Sequence, residues 1–325
     1  MAESTNPYKV EGREPNFWVN HEAQKQMEWR DGDIVVSVPA KSGTTWTMNI
    51  CHQLRQGGDP DFEDIYKEVK WIEWAMPYQT TEEIVKEIND MTHSRRRVFK
   101  THAYPGGFPY IEPKEGNKDV KYVVIFRNPE EACVSLHPFL NAHDPEITKL
   151  YDWKKPGLDS FEEYLEKFYF GPGGFIPEDV DPSTAETNCQ RMFWNFVRDW
   201  WPYRNQKNVL FLHFNDMKKD HEGSIQKISD FLEYNYPPEQ FAKILEYTSF
   251  PWMKEHQIKF ELPNFFKEGP FLKSGAMVRK GLAGAAKSDG MNDELSVRIR
   301  AVGEKVLGEN TAALEWYYTG GPLPE

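Results

Sequence analysis

Apolar residues cluster along this chain in two patterns. Four short runs, at 33–38, 97–101, 121–126 and 209–214, are dominated by apolar residues and bounded by polar or small ones. Such runs read as strands covered on both faces, the condition of a parallel sheet. Between them, helical spacing predicts helices at 49–56, 80–90, from 129 onward, 160–170, 184–201, 222–234, 238–247 and 292–307. Several carry start and stop signals. Thr80 with Glu83 makes a capping box, and Asn128-Pro129-Glu130-Glu131 supplies a cap, a proline at the first position and acids in the first turn. Gly57-Gly58 ends the 49–56 helix, and 171–174 form a glycine-rich loop after the helix that Ser160 begins.

Strands alternating with helices predict an α/β fold, a parallel sheet with helices on both faces. No repeat or linker divides the chain, so residues 1–325 read as a single domain. Residues 1–30 are a polar leading segment with Phe17, Trp18 and Trp29. Residues 59–79 look irregular around Trp71, Trp74 and Tyr78, and 250–290 is poor in regular signals.

The chemistry concentrates where the first strand gives way to a helix, at Lys41-Ser42-Gly43-Thr44-Thr45-Trp46-Thr47-Met48. A small-residue turn there points backbone N–H groups inward, and the helix start adds donors and partial positive charge. A lysine in the turn reaches the charged end of a ligand. A nucleoside triphosphatase loop would need a glycine four residues before Gly-Lys. The order Pro39-Ala40-Lys41-Ser42-Gly43 does not provide it, so the turn is a related, P-loop-like anion cradle.

Composition narrows the partners. A net charge of −12 disfavours nucleic acid or an anionic membrane as a partner, because either needs a broad basic face. An anionic small molecule is still compatible if lysines and arginines converge on one pocket. Cys51, Cys133 and Cys189 are odd in number and widely spaced, which fits reduced thiols and a cytoplasmic location. No apolar run approaches the roughly 20 residues of a membrane span. His137 and His143 lie near Asp144, but that spacing matches no established metal-ligand set.

Five motifs, in order along residues 30–290, resemble those of the cytosolic-type sulfotransferases. Lys41-Ser42-Gly43-Thr44-Thr45-Trp46 looks like their 5′-phosphosulfate loop, and Lys100-Thr101-His102 like their second-strand motif. Phe126-Arg127-Asn128-Pro129 with Ser135 resembles their 3′-phosphate motif. Thr248-Ser249-Phe250, and Arg279-Lys280-Gly281 followed by Gly284, match two later signatures, the last within a nucleotide-covering segment at 250–290. The resemblance implies metal-free transfer of a sulfuryl group from 3′-phosphoadenosine-5′-phosphosulfate (PAPS) to an acceptor hydroxyl or amine, leaving the bisphosphate PAP. In that scheme Lys41 stabilises the leaving phosphate, His102 is the base and Lys100 steadies the sulfuryl oxygens. Arg127, Ser135, Arg279 and Lys280 bind the 3′-phosphate, and Trp46 and Phe250 flank adenine. Trp71, Trp74 and Tyr104 fall where the family lines its acceptor pocket, which implies an apolar or aromatic small-molecule acceptor.

The chemistry asks for these residue types on its own account. Sulfuryl transfer, like phosphoryl transfer, depends on positioning and charge stabilisation. The acceptor proton needs a group titrating near neutrality. The chain also departs from the family. Gly284-Ala285-Ala286-Lys287 replaces the usual Gly-Asp-Trp-Lys, and Ser288-Asp289-Gly290-Met291-Asn292 does not match the dimer motif. A monomer, or a dimer through another surface, is therefore expected. A nucleotide-facing tyrosine of the family aligns near Gln190, so that contact is lost or replaced, and 141–183 is idiosyncratic. The competing reading is a non-catalytic nucleotide-binding or scaffold protein that keeps the fold.

Overall fold

The computed structural model of the chain describes residues 20–74, 79–92, 95–150, 160–171, 185–262 and 269–325. Its five strands are β1 (Ile34–Ser37), β2 (Val69–Trp71), β3 (Val98–Thr101), β4 (Lys121–Phe126) and β5 (Val209–His213). They form one parallel sheet in the order β2-β3-β1-β4-β5. Central β1 registers Ile34 against Val98 on one side and Lys121 on the other, and all four of its residues are buried.

Side chains alternate across the sheet into two cores. Val35, Phe99, Tyr122, Val124 and Phe126 meet Trp194, Trp200, Ile299 and Tyr317 on one face. Ile34, Val36, Val98, Val123 and Ile125 meet Met48, Leu54, Ile228 and Ile244 on the other. The aromatic residues at 193–201 are core, as their spacing predicts: Phe193, Trp194, Phe196, Trp200 and Trp201 are all buried. Truncating a buried tryptophan of this kind costs about 3–5 kcal/mol. Trp200 also anchors β1, its indole N–H donating to Ser37 Oγ at 2.9 Å. At the other end of the sheet, Arg97 and Asp33 form a buried bidentate ion pair.

The predicted caps are present. Thr80 and Glu83 make both bonds of a capping box, and the Asn128 side chain accepts from the N–H groups of Glu130 and Glu131. Several features differ from expectation. β2 falls in a stretch that reads as irregular, because three residues are too few to show a period; it exists through its pairing with β3. The helix after β1 begins at Thr44 rather than 49, because left-handed Gly43 turns the chain directly into it. The segment 250–290 opens with a helix, Phe250–Glu255, capped by Ser249. A final helix, Thr311–Thr319, capped by Asn310, follows Asp293–Leu307. The predicted aromatic helix passes through a π-helical turn at Gln190–Trp194. Phe17, Trp18, Tyr78 and the loop residues 172–174 lie outside the described residues.

All three cysteines are buried and free. Among the described residues no helix is long and apolar enough to cross a membrane. The topology places the site. With β3 on one side of β1 and β4 on the other, the connections diverge after β1 and leave a crevice at the carboxyl ends of the strands, the usual ligand position in such sheets.

Candidate active site

Past β1 the chain makes its tight turn. Lys41 and Gly43 both take left-handed backbone angles, φ 61° and 99°. A glycine is needed at 43 twice over, since a Cβ there would also lie 2.8 Å from the Phe214 ring. Lys41 has no such excuse, and its conformation is secured by Arg127, which donates to the Lys41 carbonyl at 2.8 Å. The helix Thr44–Gln56 then starts with no side-chain cap. Its first internal bond runs from the Thr47 N–H to the Gly43 carbonyl at 3.0 Å, which leaves the N–H groups of Thr44, Thr45 and Trp46 without intrahelical acceptors. The Thr44 hydroxyl is buried with no partner. Ser42 is buried.

The Lys41 ammonium lies 4.3 Å from the centroid of the Phe139 ring, with no carboxylate paired to it among the described residues. Enclosure by protein, then the positive charges of Arg279 and Arg127, push it down to about 7, although the residue keeps some exposed surface. A buried cation beside further cations and a helix start is an arrangement that an anion relieves. Thr44, the free N–H groups and Lys41 therefore fit a phosphate.

On the adjacent strand, β3 delivers Lys100, Thr101 and then His102. Trp71 registers with Lys100, whose ammonium lies over the indole face. The His102 ring meets Trp71 edge-on at 5.2 Å. Its Nδ1 is 2.6 Å from the Val38 carbonyl, so Nδ1 carries the proton and donates, and Nε2 keeps the lone pair. Burial, then Lys100 and Lys41, hold His102 well below the ordinary imidazole range, outweighing the opposing effect of the Val38 bond. Burial likewise depresses Lys100, against an opposing pull from Glu73. Trp74 packs against Trp71 at 4.7 Å and faces Phe271 at 6.5 Å, so these rings form one aromatic wall. Tyr104 is not part of it. It packs on Phe196.

The basic groups converge less freely than their motif suggests. Arg127 bonds Glu131, the Lys41 carbonyl and the Leu282 carbonyl, and stacks on Phe214 at 4.6 Å. Arg279 and Lys280 both approach Asp289, at 3.9 and 2.5 Å. Ser135 is buried on the Pro129–Asn141 helix. Trp46 donates to the Thr248 carbonyl at 2.8 Å, and Lys218 sits 5.5 Å from the Trp46 and Phe250 rings alike. Phe250 lies directly on Gly281, where any Cβ would collide with its ring. The first loop, the Phe250 helix and the Arg279-Lys280-Gly281 segment are thus joined around one crevice.

Two residues of this site were not among the sequence candidates. Glu131 reads as a first-turn acid, yet it is buried and accepts from Arg127, Asn215 and the Gly284 N–H, tying the late loop to the helix. Glu73 is buried beside Lys100 and accepts the His102 backbone N–H at 2.5 Å. Its only sequence signal is a carboxylate two residues beyond a strand too short to recognise. His137 and His143 have local partners, Asn141 and the Leu140 carbonyl. Among the described residues no three metal-ligating side chains form a group.

Fold and site together define a P-loop-like α/β protein whose buried cations and open helix start suit an anion, with a histidine on the neighbouring strand end. The sulfotransferase domain family matches residues 31–311, and the chain belongs to that family. Sulfotransferase 1 family member D1 of Mus musculus is 31% identical over 280 residues, 84% of each chain. A solved mouse sulfotransferase complexed with PAP is similar in structure at TM-score 0.62 and 22% identity, covering 92% of this chain and 93% of its own. A retinol dehydratase in complex with retinol and PAP is similar at TM-score 0.63 and 21% identity, with 88% and 84% covered. The protein is a sulfotransferase.

Proposed function

We propose that this enzyme moves the sulfuryl group of PAPS onto a hydroxyl, or an amine, of a small apolar or aromatic acceptor and releases PAP. The observation that carries the reading is the uncompensated Lys41 ammonium at the start of the Thr44–Gln56 helix, with the His102 Nε2 lone pair on the neighbouring strand end. The acceptor oxygen attacks sulfur in line, and the bond from sulfur to the 5′-phosphate oxygen breaks. His102 Nε2 takes the acceptor proton. Lys41 and the N–H groups of Thr44, Thr45 and Trp46 receive the charge that develops on the leaving phosphate. Lys100 steadies the sulfuryl oxygens.

Trp46 and Phe250 flank the adenine in this reading. Arg127, Ser135, Arg279 and Lys280 form the 3′-phosphate site. Arg127 holds its place through the Lys41 and Leu282 carbonyls, whereas Arg279 and Lys280 share one aspartate and are partly exposed. The Trp71–Trp74–Phe271 wall supports a flat or apolar acceptor, and solved relatives hold retinol or androsterone. The reading carries with it a cytoplasmic enzyme with no nucleic-acid or membrane partner. It would act as a monomer or as a dimer through a surface other than the degenerate motif after Lys287.

The test is donor discrimination. A protein of net charge −12 attracts a polyanion only through local groups. A guanidinium–phosphate hydrogen bond is worth about 1.5–3 kcal/mol. Arg279→Ala should therefore reduce the preference for PAPS over adenosine 5′-phosphosulfate, which lacks the 3′-phosphate, by about tenfold or more. Binding titrations of both nucleotides to parent and variant decide it. Equal losses for the two donors would place the 3′-phosphate elsewhere.

A further inference from the structure

Glu73 is a carboxylate where one is rarely tolerated. It lies two residues beyond Trp71 and is 3% exposed, and acids that deep are almost always paired. Its Oε1 accepts the backbone N–H of His102 at 2.5 Å, while its Oε2 is buried with no partner. Its backbone is fixed from both sides. The Glu73 carbonyl accepts the Asn20 N–H at 2.9 Å, and the Ile72 N–H donates to the Lys100 carbonyl at 2.9 Å. The charges that act on the His102–Lys100 pair are otherwise positive: Lys41 acts on His102, and behind Lys41 stand Arg127 and Arg279. At Lys100 the negative charge of Glu73 opposes burial, which disfavours the ammonium.

The geometry points to Glu73 as a positioning residue of the transfer reaction: its carboxylate grips His102 through the backbone and supplies the counter-charge to the Lys100 ammonium, so that both face one sulfuryl group. This rests on the roles proposed above for His102 and Lys100. A buried ammonium that loses its counter-charge gives up its proton more readily, and a neutral amine offers the sulfuryl oxygens no charge.

Glu73→Gln keeps an acceptor oxygen for His102 and removes the charge. It should lower kcat about 10- to 100-fold while the KM for PAPS stays within about twofold. The alkaline limb of the kcat–pH profile should move down by about one pH unit or more, because Lys100 then deprotonates earlier. Glu73→Asp, which keeps the charge, should leave that limb at the parent's position. The PAP-induced rise in melting temperature should be the same in all three proteins, which confirms that each is folded. A Glu73→Gln enzyme within about twofold of the parent and with an unshifted limb overturns the proposal. So do equal rate losses with the limb unshifted in both variants, or loss of the PAP response in both, since the carboxylate would then serve the fold alone. A parent that transfers nothing to any acceptor would instead defeat the mechanism on which this rests.

Discussion

His102→Ala should lower kcat by about 10²–10⁴-fold while leaving PAP affinity nearly unchanged. The expectation follows from how the ring is held. The Val38 carbonyl takes the Nδ1 proton at 2.6 Å, and Trp71 meets the ring edge-on, so Nε2 is the nitrogen left to accept. Lys100 and Lys41 add to burial in keeping the ring neutral. A base must be unprotonated before it acts, and a depressed imidazole stays so further into acid. The acid limb of kcat/KM should therefore lie below the ordinary histidine range, with activity lost only as pH falls through that lowered value. Turnover within a few-fold of the parent would sink the assignment. His137 would not be a ready substitute, since its Nε2 faces Asn141 at 2.9 Å and its ring packs with Phe161 and Tyr164.

Lys41→Met should cost about 10²–10³ in rate, roughly 3–4 kcal/mol, the usual loss for a preorganised donor to a developing oxyanion. The pH dependence gives a second handle. In the free protein Lys41 is pushed down to about 7 by burial and by Arg279 and Arg127. If the ammonium is what receives the donor, kcat/KM for PAPS should fall as pH rises above about 7. Bound phosphate opposes those arginines and raises the lysine again, so the corresponding limb of kcat should lie at higher pH. A kcat/KM that stays flat above neutrality would show that the charge on Lys41 is not what the donor meets.

Much of this was legible in the chain because the signals are local. β1 and β4 lie in predominantly apolar runs, and Thr80, Asn128 and Gly57 punctuate their helices as free-standing peptides would. Lys41, Lys100 and His102 could be named because each belongs to a motif at or just beyond the carboxyl end of a strand, and a parallel sheet puts those ends side by side. What was hidden depends on neighbours far along the chain. β2 is visible only through β3, and Glu73 looks like any surface acid until that pairing buries it. Arg127 is announced by its motif, but nothing in the motif says that the Lys41 and Leu282 carbonyls and Glu131 take its donors. Tyr104 follows His102 by two residues, yet its ring lies on Phe196 rather than in the Trp71–Trp74 wall.

The most direct measurement follows the group itself. The protein is incubated with PAPS labelled in the sulfuryl group and a mixture of phenols, retinoid and steroid alcohols and amines, and every species is weighed by mass spectrometry. The account predicts label on at least one acceptor, with PAP formed in equal amount and both formed about 10²–10³ more slowly with Lys41→Met. Unlabelled acceptors from a protein that PAP nonetheless stabilises against heat would contradict it, leaving a nucleotide-binding protein without catalysis. Stabilisation by ATP but not by PAP would contradict it as well, in favour of a nucleotide kinase.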